Sequence, residues 1–257
     1  MKTWVYIDHF KGEAVPASWE TIGAAKSLGG DVTAVILGTG VDALAKAAFE
    51  YGADEVVLAD NSALEDFRVE AYANALSPLV TDAAPGLLLF PTTSRGRELA
   101  GMVAIDLNTG VLVDVIAMEL DGDKVVATRP IYAGKLLQKT VCNASPQIIT
   151  VRGRIFAKPE AESGRSGTLT KVDVNVGDAP TTVEGYGEST GGVSLADAGV
   201  IVSGGRGVSN NPNLTAPDGM SDDEAEVWRA QQGFALITDL AGVLNAAVGA
   251  SRAAVDA

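Results

Sequence analysis

Short apolar runs alternate with helix-periodic segments through the first hundred residues. Residues 4–7, 31–37, 55–59 and 87–90 read as four strands. Between them the pattern predicts a helix capped by Ser18, with Ile22, Ala25 and Leu28 on one face, and an alanine-rich helix over 42–51. It then predicts a helix from about 66 to 82, broken by Pro85-Gly86, and one capped by Ser94 that reaches about residue 106. Strands and helices alternating at this spacing imply βαβ units and a mostly parallel sheet. The near-continuous apolar character of the strands implies helices on both faces.

After Gly110 the rhythm changes. Residues 111–120 and 125–130 flank Asp121-Gly122-Asp123, a hairpin signal. Residues 139–142, 147–151, 168–176 and 181–185 read as further strands. Residues 187–195, rich in Gly, Ser and Thr, are the expected linker, which sets domains of 1–186 and 187–257. The second begins with a buried strand at Val200 that runs into Ser203-Gly204-Gly205-Arg206-Gly207. Ser221 is the expected cap of a helix with Asp222, Asp223 and Glu224 in its first turn. Phe234, Ile237, Ala241 and Leu244 form its core face, and a strand over 246–248 leads to Gly249-Ala250-Ser251-Arg252. The helix that starts at Ala253 shows no stop signal, so the expectation is a chain that ends within a domain.

Composition narrows the function. The 257 residues carry a net charge of −14, 47% hydrophobic residues, one cysteine and one histidine. The acidic field argues against nucleic-acid binding. One cysteine and one histidine cannot build a zinc site of the usual spacing. No apolar run reaches membrane-spanning length, and the lone Cys142 suits a reducing compartment. The expectation is a cytoplasmic protein without membrane insertion, metal or catalytic residues.

Several stretches have the chemistry of sites. The two late glycine turns each carry an arginine, and Ser251 adds a hydroxyl. Glycines let main-chain N–H groups approach an anion, and a guanidinium suits phosphate; solvated arginines on ordinary strand-to-helix turns would look the same. Gly38-Thr39-Gly40-Val41-Asp42-Ala43 matches a dinucleotide fingerprint but follows the second strand. Ser251 lacks a later histidine base for nucleophilic catalysis. Asp114, Glu119 and Asp121 are dispersed. Thr92 through Leu99 is either an anion site at a helix N-terminus or a cap.

These residues carry a resemblance over nearly the whole chain. Thr92-Thr93-Ser94-Arg95-Gly96-Arg97-Glu98-Leu99-Ala100, Thr128-Arg129-Pro130-Ile131-Tyr132-Ala133-Gly134, Ser203-Gly204-Gly205-Arg206-Gly207 and Ala247 through Asp256 resemble the electron-transfer flavoprotein α subunits. The resemblance implies an adenine-nucleotide hydrolase-like first domain that docks a β subunit, and an incomplete Rossmann-like FAD domain after it. It implies FAD held by Arg206, Gly207, Ser251 and Arg252. Arg206 would face phosphate or ring, Ser251 would hydrogen-bond the cofactor, and Arg252 would lie against the isoalloxazine. AMP would belong to the β subunit. Electrons would come from acyl-CoA or other dehydrogenases and pass to a quinone-linked or other acceptor, in a bacterium or archaeon. Residues 210–226 look inserted relative to the family. Two alternatives stay open: a flavin-less module that only binds β, and a nicotinamide-dependent dehydrogenase using Gly38-Thr39-Gly40.

Overall fold

The computed structural model describes residues 1–187, 195, 198–209 and 211–255, and the chain divides into two compact units, Met1–Tyr186 and Gly187–Ala257. Most of the linker expected over 187–195, and position 210 at the start of the expected insertion, lie outside the described residues.

In the first unit β1 (Thr3–Tyr6) leads to a tiny hairpin, β2 (His9–Phe10) and β3 (Glu13–Ala14). Then come α1 (Pro16–Ser27), β4 (Val32–Gly38), α2 (Asp42–Glu50), β5 (Glu55–Asp60), α3 (Val69–Ala83), β6 (Leu87–Pro91) and α4 (Ser94–Asp106). β7 (Val111–Val115), β8 (Ala117–Asp121), β9 (Lys124–Ile131), β10 (Leu136–Thr140), β11 (Gln147–Val151) and β12 (Thr168–Lys171) follow. A seven-stranded sheet runs β12-β5-β4-β1-β6-β11-β7, with every pairing parallel. β4 is buried along its whole length, as a central parallel strand must be when both faces are covered. Trp19, Ile22, Leu44 and Phe49 of α1 and α2 belong to one core cluster. Leu76, Val80, Leu99 and Val103 of α3 and α4 belong to the other. Strand order grows outward from β1 to β5, and the chain then returns to lay β6 on the other side of β1. The carboxyl ends of β1 and β6 therefore flank the reversal point, where open α/β sheets make their crevice.

Several local expectations are corrected. α1 begins at Pro16, with Val15 as N-cap and no side-chain cap. Proline fits the first helical position because its missing N–H needs no partner there, so Ser18 lies inside the helix. Thr93, not Ser94, caps α4, its Oγ1 accepting from Gly96 N at 2.9 Å. The run expected over 111–120 breaks at Ile116: β7 joins the large sheet, while β8, β9 and β10 form a separate antiparallel sheet. Residues 181–185 form no strand, and β12 stops at Lys171. Beyond it, side chains replace a ladder partner: Asn61 donates to Val174 O, Asn74 to Val176 O and Arg68 to Thr181 O.

The second unit holds β13 (Ile201–Gly204), α5 (Arg206–Ser209), α6 (Asp222–Leu244), β14 (Ala247–Ala250) and α7 (Arg252–Val255). β13 and β14 pair in parallel, Ser203 with Gly249 and Gly204 with Ala250. Ser221 caps α6 in a full capping box with Glu224. The β13 strand is not buried as expected: Ile201 is 43% exposed and Ser203, two residues on and on the same face, is exposed as well, whereas Gly204 packs toward Phe234 of α6. Leu244 is also exposed, so the core face of α6 ends at Ala241.

Candidate functional site

Two sets of strand ends have the topology of a binding site. The first is the crevice at the ends of β1 and β6. Asp8 follows β1 and is 1% exposed, and its carboxylate accepts from Thr93 Oγ1 at 2.7 Å and from Arg95 Nε at 2.9 Å. Ser18 clamps the same residue through its backbone: its Oγ accepts from Asp8 N and donates to Asp8 O, both at 2.9 Å. The Arg95 guanidinium lies over the Phe10 ring at 5.6 Å, and Phe10 meets Tyr186 edge-on at 4.9 Å. Tyr186 donates to Asp66 Oδ1 at 2.7 Å, and that bond to a carboxylate raises its hydroxyl pKa. Burial pushes the Tyr72 hydroxyl pKa well up; it donates to Leu64 O. What remains open is a hollow of about 190 Å³ beside His9, Lys11 and Tyr186.

The Thr92-to-Leu99 stretch is thus mainly a cap and an internal ion pair. Gly96 is required there, since a Cβ would stand 2.2 Å from Pro91 O. His9 has Nε2 at 2.7 Å from Leu37 O, so this nitrogen carries the proton. The Gly38-Thr39-Gly40 turn is also closed from within: Gly40 N donates to Asp60 Oδ1 at 3.0 Å, and a Cβ on Gly38 would meet His9 at 2.8 Å. Asp114 does find a partner, but not a second acid. Arg152 grips it with two bonds, Nε to Oδ1 at 2.8 Å and Nη2 to Oδ2, and holds its carboxyl below the usual range.

The second set is the pair of glycine turns. Because β13 and β14 are adjacent and parallel, both turns leave the same edge of the same sheet. Ser251 N donates to Gly204 O at 2.9 Å, which ties one turn to the other. A Cβ on Gly205 would lie 3.4 Å from Ser251 Oγ. Gly207 has nothing within 4 Å of its Cβ direction, and neither glycine has a positive φ. The chain's own packing therefore does not demand glycine at 207, and hardly at 205. Gly204 and Gly233 differ: added Cβ atoms would meet Phe234 at 3.0 Å and Val208 O at 2.2 Å. Arg206, Gly207, Ser251 and Arg252 are all exposed. The four residues singled out from the sequence thus share one sheet edge.

The electron transfer flavoprotein domain family matches residues 3–176. The chain belongs to the electron transfer flavoprotein family. Among its curated relatives is the electron transfer flavoprotein subunit alpha of Bacillus subtilis, 32% identical over 96% of this chain and 70% of that protein. That of Megasphaera elsdenii is 33% identical over 99% of this chain and 73% of its own length. Protein FixB of Azotobacter vinelandii is 34% identical over 99% of this chain and 69% of its own. Electron transfer flavoproteins are redox carriers, so flavin chemistry is the family's business. Among the described residues no helix is long and apolar enough to cross a membrane.

Sequence reasoning missed the inner crevice. Asp8, Ser18, Thr93 and Arg95 were visible one by one, but their partnership spans 10 to 87 positions. Pro16 was the available signal that Ser18 lies within a helix.

Proposed function

We propose that this chain is the α subunit of a heterodimeric electron carrier and that its two late glycine turns hold FAD. The observation that carries the reading is the parallel pairing of β13 with β14, which sets Gly205-Arg206-Gly207 beside Ser251-Arg252. The fit is chemical as well as topological. Missing side chains at Gly205 and Gly207 leave room that the fold does not use, two arginines offer charge-assisted donors to a pyrophosphate or an electron-rich ring, and Ser251 offers a hydroxyl. FAD, when bound, supplies the reversible electron chemistry. The chain orients it, keeps positive charge near it and presents a docking surface. No acid, base or nucleophile is needed, so the protein carries electrons rather than transforming a substrate. Donors would be acyl-CoA or other dehydrogenases, and the acceptor a quinone-linked oxidoreductase. The β subunit, with AMP, would complete a cytoplasmic heterodimer.

The test is co-purification with a β subunit and absorbance at about 450 nm, a property of the flavin. A yellow heterodimer is expected, and a colourless one overturns the cofactor reading. One observation favours the second reading, a flavin-less module that only binds β: every described residue buried in the second unit is Gly or Ala. A colourless heterodimer would support it.

A further inference from the structure

A few buried side-chain polar atoms have no hydrogen-bond partner among the described residues, and such atoms mark places where something is missing. Thr3 Oγ1, Trp4 Nε1, His9 Nδ1 and Arg129 Nε belong to the first unit. Arg229 Nε belongs to α6, in the second. Arg229 is partly buried, so its guanidinium has given up some of its water without gaining an acceptor at Nε. Glu226, three positions earlier on the same helix, is at the spacing of a natural ion-pair partner. Yet Arg229 takes part in no ion pair among the described residues. Burying a charged donor with neither kind of partner costs stability.

The packing of α6 fixes where this arginine stands. Phe234 and Ile237 sit on Gly204, the last residue of β13, where an added Cβ would meet them at 3.0 and 3.4 Å. Gly233 sits on Val208 of α5, whose carbonyl oxygen would be 2.2 Å from a Cβ there. Going back along α6 therefore leads off the carboxyl end of β13 and onto α5, the helix that opens with Arg206. Arg229 lies four residues before Gly233, on the same face and about 6 Å further along the axis. It is thus on the side of the sheet from which the Gly205-Arg206-Gly207 turn departs.

We propose that Arg229 is a further anchor for FAD and that it holds the diphosphate. This rests on the FAD reading above and adds a residue that neither glycine turn contains. A guanidinium fork matches phosphate oxygens in geometry as well as in charge, and it keeps its charge at every working pH. The unmatched donor is then a cost carried by the empty chain and relieved by the ligand, the usual exchange between stability and binding. In a chain of net charge −14, a dianionic group needs such a local cation to be held at all.

The experiment is equilibrium dialysis of the full chain with FAD over a range of salt concentrations, with thermal unfolding of the ligand-free protein alongside. Arg229→Met keeps most of the apolar stem and removes the charge. It is expected to weaken FAD binding about tenfold or more at low salt and to flatten its salt dependence. The same variant is expected to raise the unfolding midpoint of the ligand-free chain, because the unsatisfied donor is gone. Arg229→Lys keeps the charge without the fork, and should keep the salt slope while recovering only part of the affinity. Lys46→Met, on α2 of the first unit, should change neither. If wild-type chain binds FAD and Arg229→Met binds it equally well, Arg229 is no anchor and the inference falls alone. If Arg229→Met weakens binding by the same factor at every salt concentration, with a lower unfolding midpoint, its role is packing and the inference is overturned. If wild-type chain binds no FAD at any salt concentration, the FAD reading falls and takes this anchor with it.

Discussion

Both units carry turns at the carboxyl ends of paired parallel strands, and the side chains there differ. In each, turns leave the carboxyl ends of adjacent parallel strands, the position where α/β sheets bind ligands. At the ends of β1 and β6 the polar groups are spent on one another: Asp8 takes Thr93 and Arg95, and Ser18 locks the Asp8 backbone. At the ends of β13 and β14 a glycine stands in open space and the charged residues are exposed. Topology nominates both places; at the first the protein's own side chains are shown to fill the strand ends, and the second is where the proposed FAD reading puts a ligand. The cores differ in parallel. The first unit buries Tyr6, Phe90, Ile36 and many leucines, whereas the described buried residues of the second are glycines and alanines. The first has the burial to stand alone. The second is the one whose stability should respond to a bound ligand.

The sharpest way to break this comparison is to empty the filled crevice. Asp8→Ala strands the buried end of Arg95 and removes the acceptor of Thr93. Breaking one partner of a buried pair costs about 3 kcal/mol. A large fall in the urea midpoint of the first unit is expected, with no change in flavin affinity per folded molecule. An unchanged midpoint would mean that the ion pair does not close the crevice.

The proposed FAD turns should respond the other way. Gly205→Val would press a branched side chain toward Ser251 and weaken flavin binding about tenfold or more, ~1.4 kcal/mol. Gly207→Ala tests the same point more finely. Because nothing lies within 4 Å of the added methyl, removing a flexible glycine should stabilise the free chain by up to about 1 kcal/mol while flavin affinity drops. Equilibrium dialysis with FAD, alongside thermal unfolding, reads both. A variant that gains stability and keeps its affinity would show that the space at Gly207 serves no ligand.

Much of this was legible in the sequence, for identifiable reasons. β4 is apolar but for Thr33 and buried throughout, which marks a central strand. The Ser221 cap and its Glu224 partner sit three residues apart, so local chemistry announced them. The two arginine-bearing turns were legible because glycine clusters stand out. What resisted was tertiary. Nothing local marks Asp8 and Arg95, 87 positions apart, as partners. Residues 181–185 looked like a strand because alternation says nothing about whether a neighbouring strand is there to receive it. Here the side chain of Arg68, at the N-cap of α3, donates to Thr181 O.

A smaller effect separates the arginines of the open site from those of the closed one. If Arg252 lies against the flavin ring, its charge favours the electron-rich reduced form over the oxidised one. A cation–π term of roughly 1–2 kcal/mol, gained only on reduction, corresponds to about 40–90 mV. Arg252→Ala should therefore lower the first midpoint potential by that amount. Arg95→Ala, in the other unit, should leave the potential where it is. Equal shifts from both would dissolve the distinction between the units.

The smallest effect lies in the first unit and concerns stability alone. Arg152 hydrogen-bonds Asp114 and depresses its carboxyl pKa, with Arg97 and Arg129 contributing nearby positive charge. A depressed folded-state pKa means that the unfolded chain takes up the proton first as pH falls. The pair therefore stabilises above the ordinary carboxylate pKa, about 4, and the contribution is lost as pH drops through the lower folded value. Both side chains are partly exposed, at 41% and 33%, so solvent screening limits the contribution to less than about 1 kcal/mol. Arg152→Leu should thus lower the urea midpoint at neutral pH and lose most of that difference near pH 3, a value set by the same carboxylate range. Were the variant equally destabilised at both pH values, the loss would be one of packing, and the charges gathered at these strand ends would not be acting as charges at all.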